Sequence, residues 1–202
     1  FFYDYFFKVN EHTLIPRPET EELIYLITEQ YQKIEKLKII DFGTGSGCIP
    51  ITLSKIFPHA EVYAVDISEE ALMVAAFNNA ALGSQVKFIQ QDMLQDFDLH
   101  QTFDIIISNP PYIRELEKEE MHHNVLNHEP HLALFVSNED PLIFYRRVAE
   151  IGKRHLAKNG KIFCEINQYL GDETRAMFLK YYSNAIIHKD ISNNNRIAEI
   201  YN

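Results

Sequence analysis

Asp41-Phe42-Gly43-Thr44-Gly45-Ser46-Gly47 is the stretch that decides the fold. It follows the apolar run Leu37 to Phe42, which reads as a buried strand, and it opens Ser46 to Phe57, which reads as a helix. Three glycines at a strand-to-helix turn allow positive φ and close backbone approach to a ligand. The helix start adds free N–H groups that suit an anionic group such as a carboxylate. The spacing is not that of a dinucleotide-binding fingerprint. The third glycine of that motif would fall at Cys48 or at Pro50, depending on the starting glycine. A nicotinamide dehydrogenase is therefore a poor reading.

Outward from this turn the pattern keeps alternating. Glu61 to Val65, Val86 to Gln90, Phe103 to Ser108 and Lys161 to Ile166 read as strands. Helical periods at Glu19 to Ile34, Glu69 to Leu82, Pro141 to Leu156 and Asp172 to Tyr182 separate or flank them. Ala185 to Lys189 and Ile197 to Tyr201 read as a final antiparallel pair. Alternation of this kind predicts an α/β, Rossmann-like, seven-stranded, mostly parallel and doubly wound sheet with an antiparallel C-terminal edge strand. Residues 109 to 138 show little period and read as an active-site loop. The start, Phe1 to Leu14, reads as extended or hairpin structure, its aromatics packed on the domain, and Ile15-Pro16-Arg17-Pro18 as a rigid turn.

In such sheets ligands bind outside the carboxyl ends of the strands, and the polar motifs fall there. Asp66 ends the second strand about 20 residues past the glycines, where a carboxylate accepts both ribose hydroxyls. Ser68 is the better-placed cap for the helix that follows. After the third strand, Asp92 is placed to accept from an adenine amino group and Met93 to pack on the ring. After the fourth comes Asn109-Pro110-Pro111-Tyr112, in which two prolines stiffen the turn and hold Asn109 at the strand end. The Asn109 side-chain oxygen and the Pro110 carbonyl make two acceptors for one NH2 group, with Tyr112 as a pocket wall.

These motifs together resemble the release-factor glutamine N5-methyltransferases, a branch of the class I methyltransferases. The matching stretches are Leu14 to Glu21, Asp41 to Gly47, Ala64 to Ser68, Phe103 to Ile113, Glu129-Pro130 and the region of Asp190. Asn-Pro-Pro-Tyr alone is shared with enzymes acting on exocyclic amines of DNA or RNA bases, the main alternative; Ile15 to Glu21 is more specific. The resemblance implies S-adenosyl-L-methionine as cofactor, held by Gly43, Thr44, Gly45, Ser46, Gly47, Asp66, Asp92, Met93 and Asn109. It implies catalysis by Asn109, Pro110, Pro111 and Tyr112 on the Gly-Gly-Gln glutamine of class 1 peptide chain release factors. It places Arg17, Pro18 and Glu21 in a segment lining the active-site mouth. It also implies a division into a linker hairpin and lead-in helix, 1–35, and a methyltransferase domain, 36–202, with the family's N-terminal helical domain absent. The chain starts without Met, which reads as a cut in a longer protein.

The sequence departs from the family pattern at Val136 to Pro141, at Asn167, and at Asn193-Asn194-Asn195-Arg196. Asparagine tolerates left-handed backbone better than most residues, so the turns are expected to survive.

Bulk composition narrows the other classes. The 202 residues are 46% hydrophobic and 24% charged, enough for one α/β domain with a core. A net charge of -10 without a Lys/Arg cluster argues against direct nucleic-acid binding and for a protein partner. No apolar run spans a bilayer, so no membrane partner is expected. Cys48 and Cys164 are too few for a disulfide framework, which suggests the cytoplasm. His122, His123, His128 and His131 gather near Glu129 in no standard ligand spacing and read as a solvated loop, so no metal is expected. Glu115 to Glu120 reads as an exposed helical face. A non-catalytic binding module is disfavoured by the intact Asn109 to Tyr112 stretch.

Overall fold

The computed structural model describes residues 1–32, 36–114, 130 and 134–202. In chain order the elements are α1 (Pro18–Tyr31), β1 (Lys38–Phe42), α2 (Cys48–Ile56), β2 (Glu61–Asp66), α3 (Glu69–Ala81), β3 (Lys87–Gln90) and β4 (Phe103–Ser108). Two short strands, β5 (Ile113–Arg114) and β6 (Phe135–Val136), follow. Next come α4 (Ile143–His155), β7 (Leu156–Glu165), a 3-10 turn (Gln168–Leu170), α5 (Gly171–Phe178), β8 (Asn184–Lys189) and β9 (Asn195–Tyr201).

Seven strands lie in the order β3-β2-β1-β4-β7-β9-β8. The strands from β3 to β7 pair in parallel, and β9 runs antiparallel to both of its neighbours. This is the expected α/β Rossmann-like sheet. The C-terminal strand is the antiparallel one, but it is not the edge. The crossover through α5 carries β8 one position past β7, and the hairpin return slots β9 into the gap, so β8 is outermost.

Side chains alternate between two cores, as the strand period of two demands. Ile39, Ile105, Ile107 and Phe163 face one core, with Leu23, Ile24 and Ile27 of α1 and Ile51 and Leu53 of α2. Ile40, Phe42, Ile106 and Ile162 face the other, with Tyr145 and Val148 of α4 and Phe178 of α5. Burial on both faces explains why β1 and β4 are dominated by consecutive apolar residues, Ile39-Ile40 and Ile105-Ile106-Ile107. The two cysteines lie in opposite cores, both free.

Two details differ from the sequence reading. β7 begins at Leu156 rather than Lys161, with a register shift against β4 between Phe103 and Ile105. Gly160 lies within that extra stretch, where a Cβ would stand 3.0 Å from the Phe103 and Asp104 carbonyls. At the N-terminus the only regular pairing is a single bridge, Phe2 to Tyr5; Phe2 is buried, whereas Phe1 and Phe6 are exposed. The departures in the turns are accommodated. Asn193 takes φ 64, and the Asn167 side chain accepts from Tyr169 N at 2.9 Å to cap the 3-10 turn. No helix among the described residues is long and apolar enough to cross a membrane.

Candidate active site

The chain leaves β1 for β2 and β3 on one side, then returns to β4 on the other. The carboxyl ends of β1 and β4 therefore diverge at a switch point, where a crevice is expected. A cavity of about 540 Å³ opens there.

Its floor is the glycine turn. Gly43 and Gly45 take φ 74 and 55, and a Cβ on either would meet nothing within 4 Å, so the turn keeps clear space beside its backbone. Gly43 N and Thr44 N donate to Val65 O at 2.8 and 3.1 Å, which locks the turn to β2. Gly43, Thr44, Gly45 and Ser46 line the cavity. Gly47 is not among the lining residues. Its φ of 79 directs a hypothetical Cβ against Ile51 and Ala75, at 3.0 and 3.1 Å, so its role is to let α2 and α3 close together.

Asp66, at the end of β2, accepts from Gly45 N at 2.8 Å and from Ser68 N at 3.0 Å. Burial raises its pKa against these N–H groups, which favour the charged form. The capping of α3 falls to Ser68, whose hydroxyl accepts from Ala71 N at 3.0 Å, so Asp66 remains available to the cavity it lines. Asp92 and Met93 also line it. Asp92 accepts from Leu94 N at 2.9 Å, and Arg147 of α4 holds the segment by donating to Met93 O at 2.7 Å and Gln95 O at 2.5 Å.

Asp41 lies beneath the turn, buried, with neither carboxylate oxygen hydrogen-bonded among the described residues. Burial pushes it up to about 7. The nearby Thr44 hydroxyl restrains that rise in part but falls outside hydrogen-bonding geometry.

Asn109, Pro110 and Pro111, after β4, line the cavity as well. Ser108 ties this loop to the glycine turn by donating to Phe42 O at 2.9 Å. Tyr112 is not among the lining residues, unlike the pocket wall expected of it. Its ring packs against the second core and its hydroxyl donates to Glu165 Oε1 at 2.8 Å. The reason is topological, since β7 neighbours β4 and brings Glu165 beside the loop.

The cavity is completed from the N-terminal segment. Pro16, Arg17 and Thr20 line it, as do His12 and Leu14; Pro18 and Glu21 do not. Glu21 instead accepts from Tyr3 N at 2.8 Å. Phe144 and Pro130 add apolar surface. Thr20 falls within the Leu14 to Glu21 stretch, but only its place in the first turn of α1 points it at the site. Glu165 could have been suspected as an acid closing an apolar strand. Phe144 carries no such signal.

Among the described residues no cluster of three or more His, Cys, Asp or Glu could hold a metal. The histidines at 122, 123, 128 and 131, Glu129 and the run 115–120 lie outside the described residues.

Residues 21–133 match the family described as Methyltransferase small domain. The release factor glutamine methyltransferase of Flavobacterium psychrophilum is 52% identical over 198 residues, covering 96% of this chain and 70% of that protein. The protein of the same name from Bacteroides thetaiotaomicron is 50% identical, covering 95% and 69%. Among solved structures, ribosomal protein L11 methylase from Lactobacillus delbrueckii superposes with a TM-score of 0.63 at 20% identity, covering 93% of this chain and 80% of that one. The T. thermophilus 16S rRNA N2 G1207 methyltransferase, in complex with AdoMet and guanosine, gives 0.67 at 15% identity, covering 93% and 44%. At those identities the superpositions speak for the fold alone. The sequence matches, extending across nearly the whole chain, go further: the chain belongs to the release factor glutamine methyltransferase family.

Proposed function

We propose that the chain transfers a methyl group from S-adenosyl-L-methionine to the side-chain amide nitrogen of the Gly-Gly-Gln glutamine of class 1 peptide chain release factors, in the cytoplasm. The observation that carries this reading is the sharing of one cavity by the glycine turn, Asp66 and the Asn109-Pro110-Pro111 wall.

The residues fit the cofactor. Gly43 and Gly45 leave the open cradle that a close-lying ligand needs. Asp66 is a half-buried carboxylate at the cavity edge that accepts from the backbone N–H groups of Gly45 and Ser68, and so suits a ribose diol. Asp92 and Met93 offer one acceptor and one apolar face for a purine. Asp66 places a carboxylate at the edge of a cavity for a ligand that is itself cationic. When bound, S-adenosylmethionine supplies a methyl activated by its sulfonium.

An amide nitrogen is a poor nucleophile because its lone pair is delocalised. The chain's task is to orient that nitrogen and favour the positive charge that grows on it. The Asn109 side chain has no hydrogen-bond partner among the described residues, so its oxygen is open to accept one amide N–H. The Pro110 carbonyl can accept the other. Two fixed acceptors aimed at one NH2 stabilise the charged transition state without reorganising. The two prolines keep that wall stiff.

The test is methyl transfer from labelled S-adenosylmethionine to a purified class 1 release factor and to its Gly-Gly-Gln Gln→Ala form. Label on the unaltered factor alone is expected. Equal labelling of both would overturn the target residue, and labelling of nucleic acid instead would move the substrate to base amines.

A further inference from the structure

We propose that Glu165 is a positioning residue for methyl transfer, setting the catalytic loop through Tyr112 and the first turn of α1 through Thr20. This rests on the reading above and adds a residue to its machinery. Glu165 is the last residue of β7, next to the strand that ends at Ser108. It is 1% exposed. A buried carboxylate is costly unless its oxygens are satisfied, and here each oxygen has its own donor. The Tyr112 hydroxyl donates to Oε1 at 2.8 Å, and the Thr20 hydroxyl to Oε2 at 2.7 Å.

The two donors belong to segments far apart in the chain, the first turn of α1 and the loop after β4. Thr20 lines the cavity directly, and Tyr112 directly follows Asn109, Pro110 and Pro111, which line it too. Tyr112 is pinned at both ends, because its carbonyl also accepts from Asn167 Nδ2 at 2.9 Å. With two prolines between, little freedom separates a fixed Tyr112 from the amide of Asn109. Glu165 thus joins the first turn of α1 to the catalytic loop, and a displacement of about 1 Å at a reacting centre is enough to slow an enzyme severely. Arg196 supplies the balancing charge. Burial pushes the Glu165 carboxyl above its ordinary range, and the Arg196 charge offsets part of that rise; Arg196 is itself held by Asp190, which accepts from its Nε at 3.0 Å.

The experiment compares Glu165→Gln, Tyr112→Phe and the double variant in the full chain. It uses labelled S-adenosylmethionine and release factor, with wild type alongside and thermal melts of every protein. Glu165→Gln should lower kcat by about tenfold or more, the worth of one charge-assisted hydrogen bond felt at the transition state. KM for the cofactor should stay within about twofold of wild type, which a general loosening of the fold would not allow. The double variant should be no slower than the worse single one, since both changes cut one contact. A wild-type kcat for Glu165→Gln, or effects that multiply in the double variant, would overturn the proposal. If Glu165→Gln melts below the assay temperature, Tyr112→Phe decides alone, and an unchanged kcat there counts against it. Absence of label from the wild-type enzyme would instead refute the substrate reading, and this proposal with it.

Discussion

Gly45 and Gly47 stand two residues apart in one turn, yet replacing each with alanine should damage different properties. Both sit at positive φ, 55 and 79, where a Cβ costs about 1–2 kcal/mol of backbone strain. At Gly45 that strain is the whole stability cost, because nothing lies within 4 Å of the added methyl. At Gly47 the methyl would press on Ile51 Cδ1 at 3.0 Å and on Ala75 Cβ at 3.1 Å. Overpacking of this kind adds roughly 1–3 kcal/mol. Gly47→Ala should therefore lose roughly 2–5 kcal/mol. For a domain of this size that lowers Tm by on the order of 10 °C, against a few degrees for Gly45→Ala. Cofactor affinity should run the other way. Gly45 lines the cavity and Gly47 does not, so Gly45→Ala puts its methyl beside the ligand. Calorimetry at a temperature where both variants are folded should show affinity about tenfold or more weaker for Gly45→Ala, a loss near 1.4 kcal/mol. Gly47→Ala should bind within about threefold of wild type. The reasoning is refuted if Gly47→Ala is as stable as Gly45→Ala, or if Gly47→Ala is the weaker binder.

The other predictions concern charge and chemistry. Asp66→Ala should weaken S-adenosylmethionine binding by about ten- to a hundredfold, the range for losing hydrogen bonds to a charged group; an unchanged calorimetric Kd would remove Asp66 from the ribose site. Asn109→Ala should cut turnover by about a hundred- to a thousandfold, as loss of one transition-state hydrogen-bond partner does, while the cofactor Kd stays put. A near-normal rate would sink that role. Asp41 has a folded pKa of about 7 against an ordinary 3.8. Between those values the unfolded chain holds fewer protons than the folded one, so stability falls as pH rises through this window and levels off above it. At about 1.4 kcal/mol for each step of one in pKa, the cost above pH 7 is on the order of 4 kcal/mol. Urea midpoints of wild type and Asp41→Asn from pH 5 to 8 should diverge in favour of the variant up to about pH 7, and parallel curves would contradict the buried, unpaired carboxylate.

The site and the sheet were legible in the sequence to different depths. Asp41 to Gly47, Asp66, Asp92 and Asn109 to Pro111 announce themselves because each ends a strand, and strand ends in a parallel sheet converge on one edge. Local chemistry suffices there: apolar runs define the strands, and glycine and proline define the turns. The burial of β1 and β4 on both faces and the capping of α3 by Ser68 were legible for the same reason. Tertiary packing decided what depends on neighbours distant in the chain. Whether Tyr112 faces the cavity or turns away is set by Glu165, 53 residues later. Whether Gly47 serves the ligand or the packing is set by Ala75 on another helix. The placement of β9 inside the sheet depends on where α5 delivers β8, and no residue of β9 states it. Sequence alone determined which residues could make a methyltransferase site. Only the fold decided which of them meet, because hydrogen-bond partners and van der Waals neighbours are chosen by distance in space and not by separation along the chain.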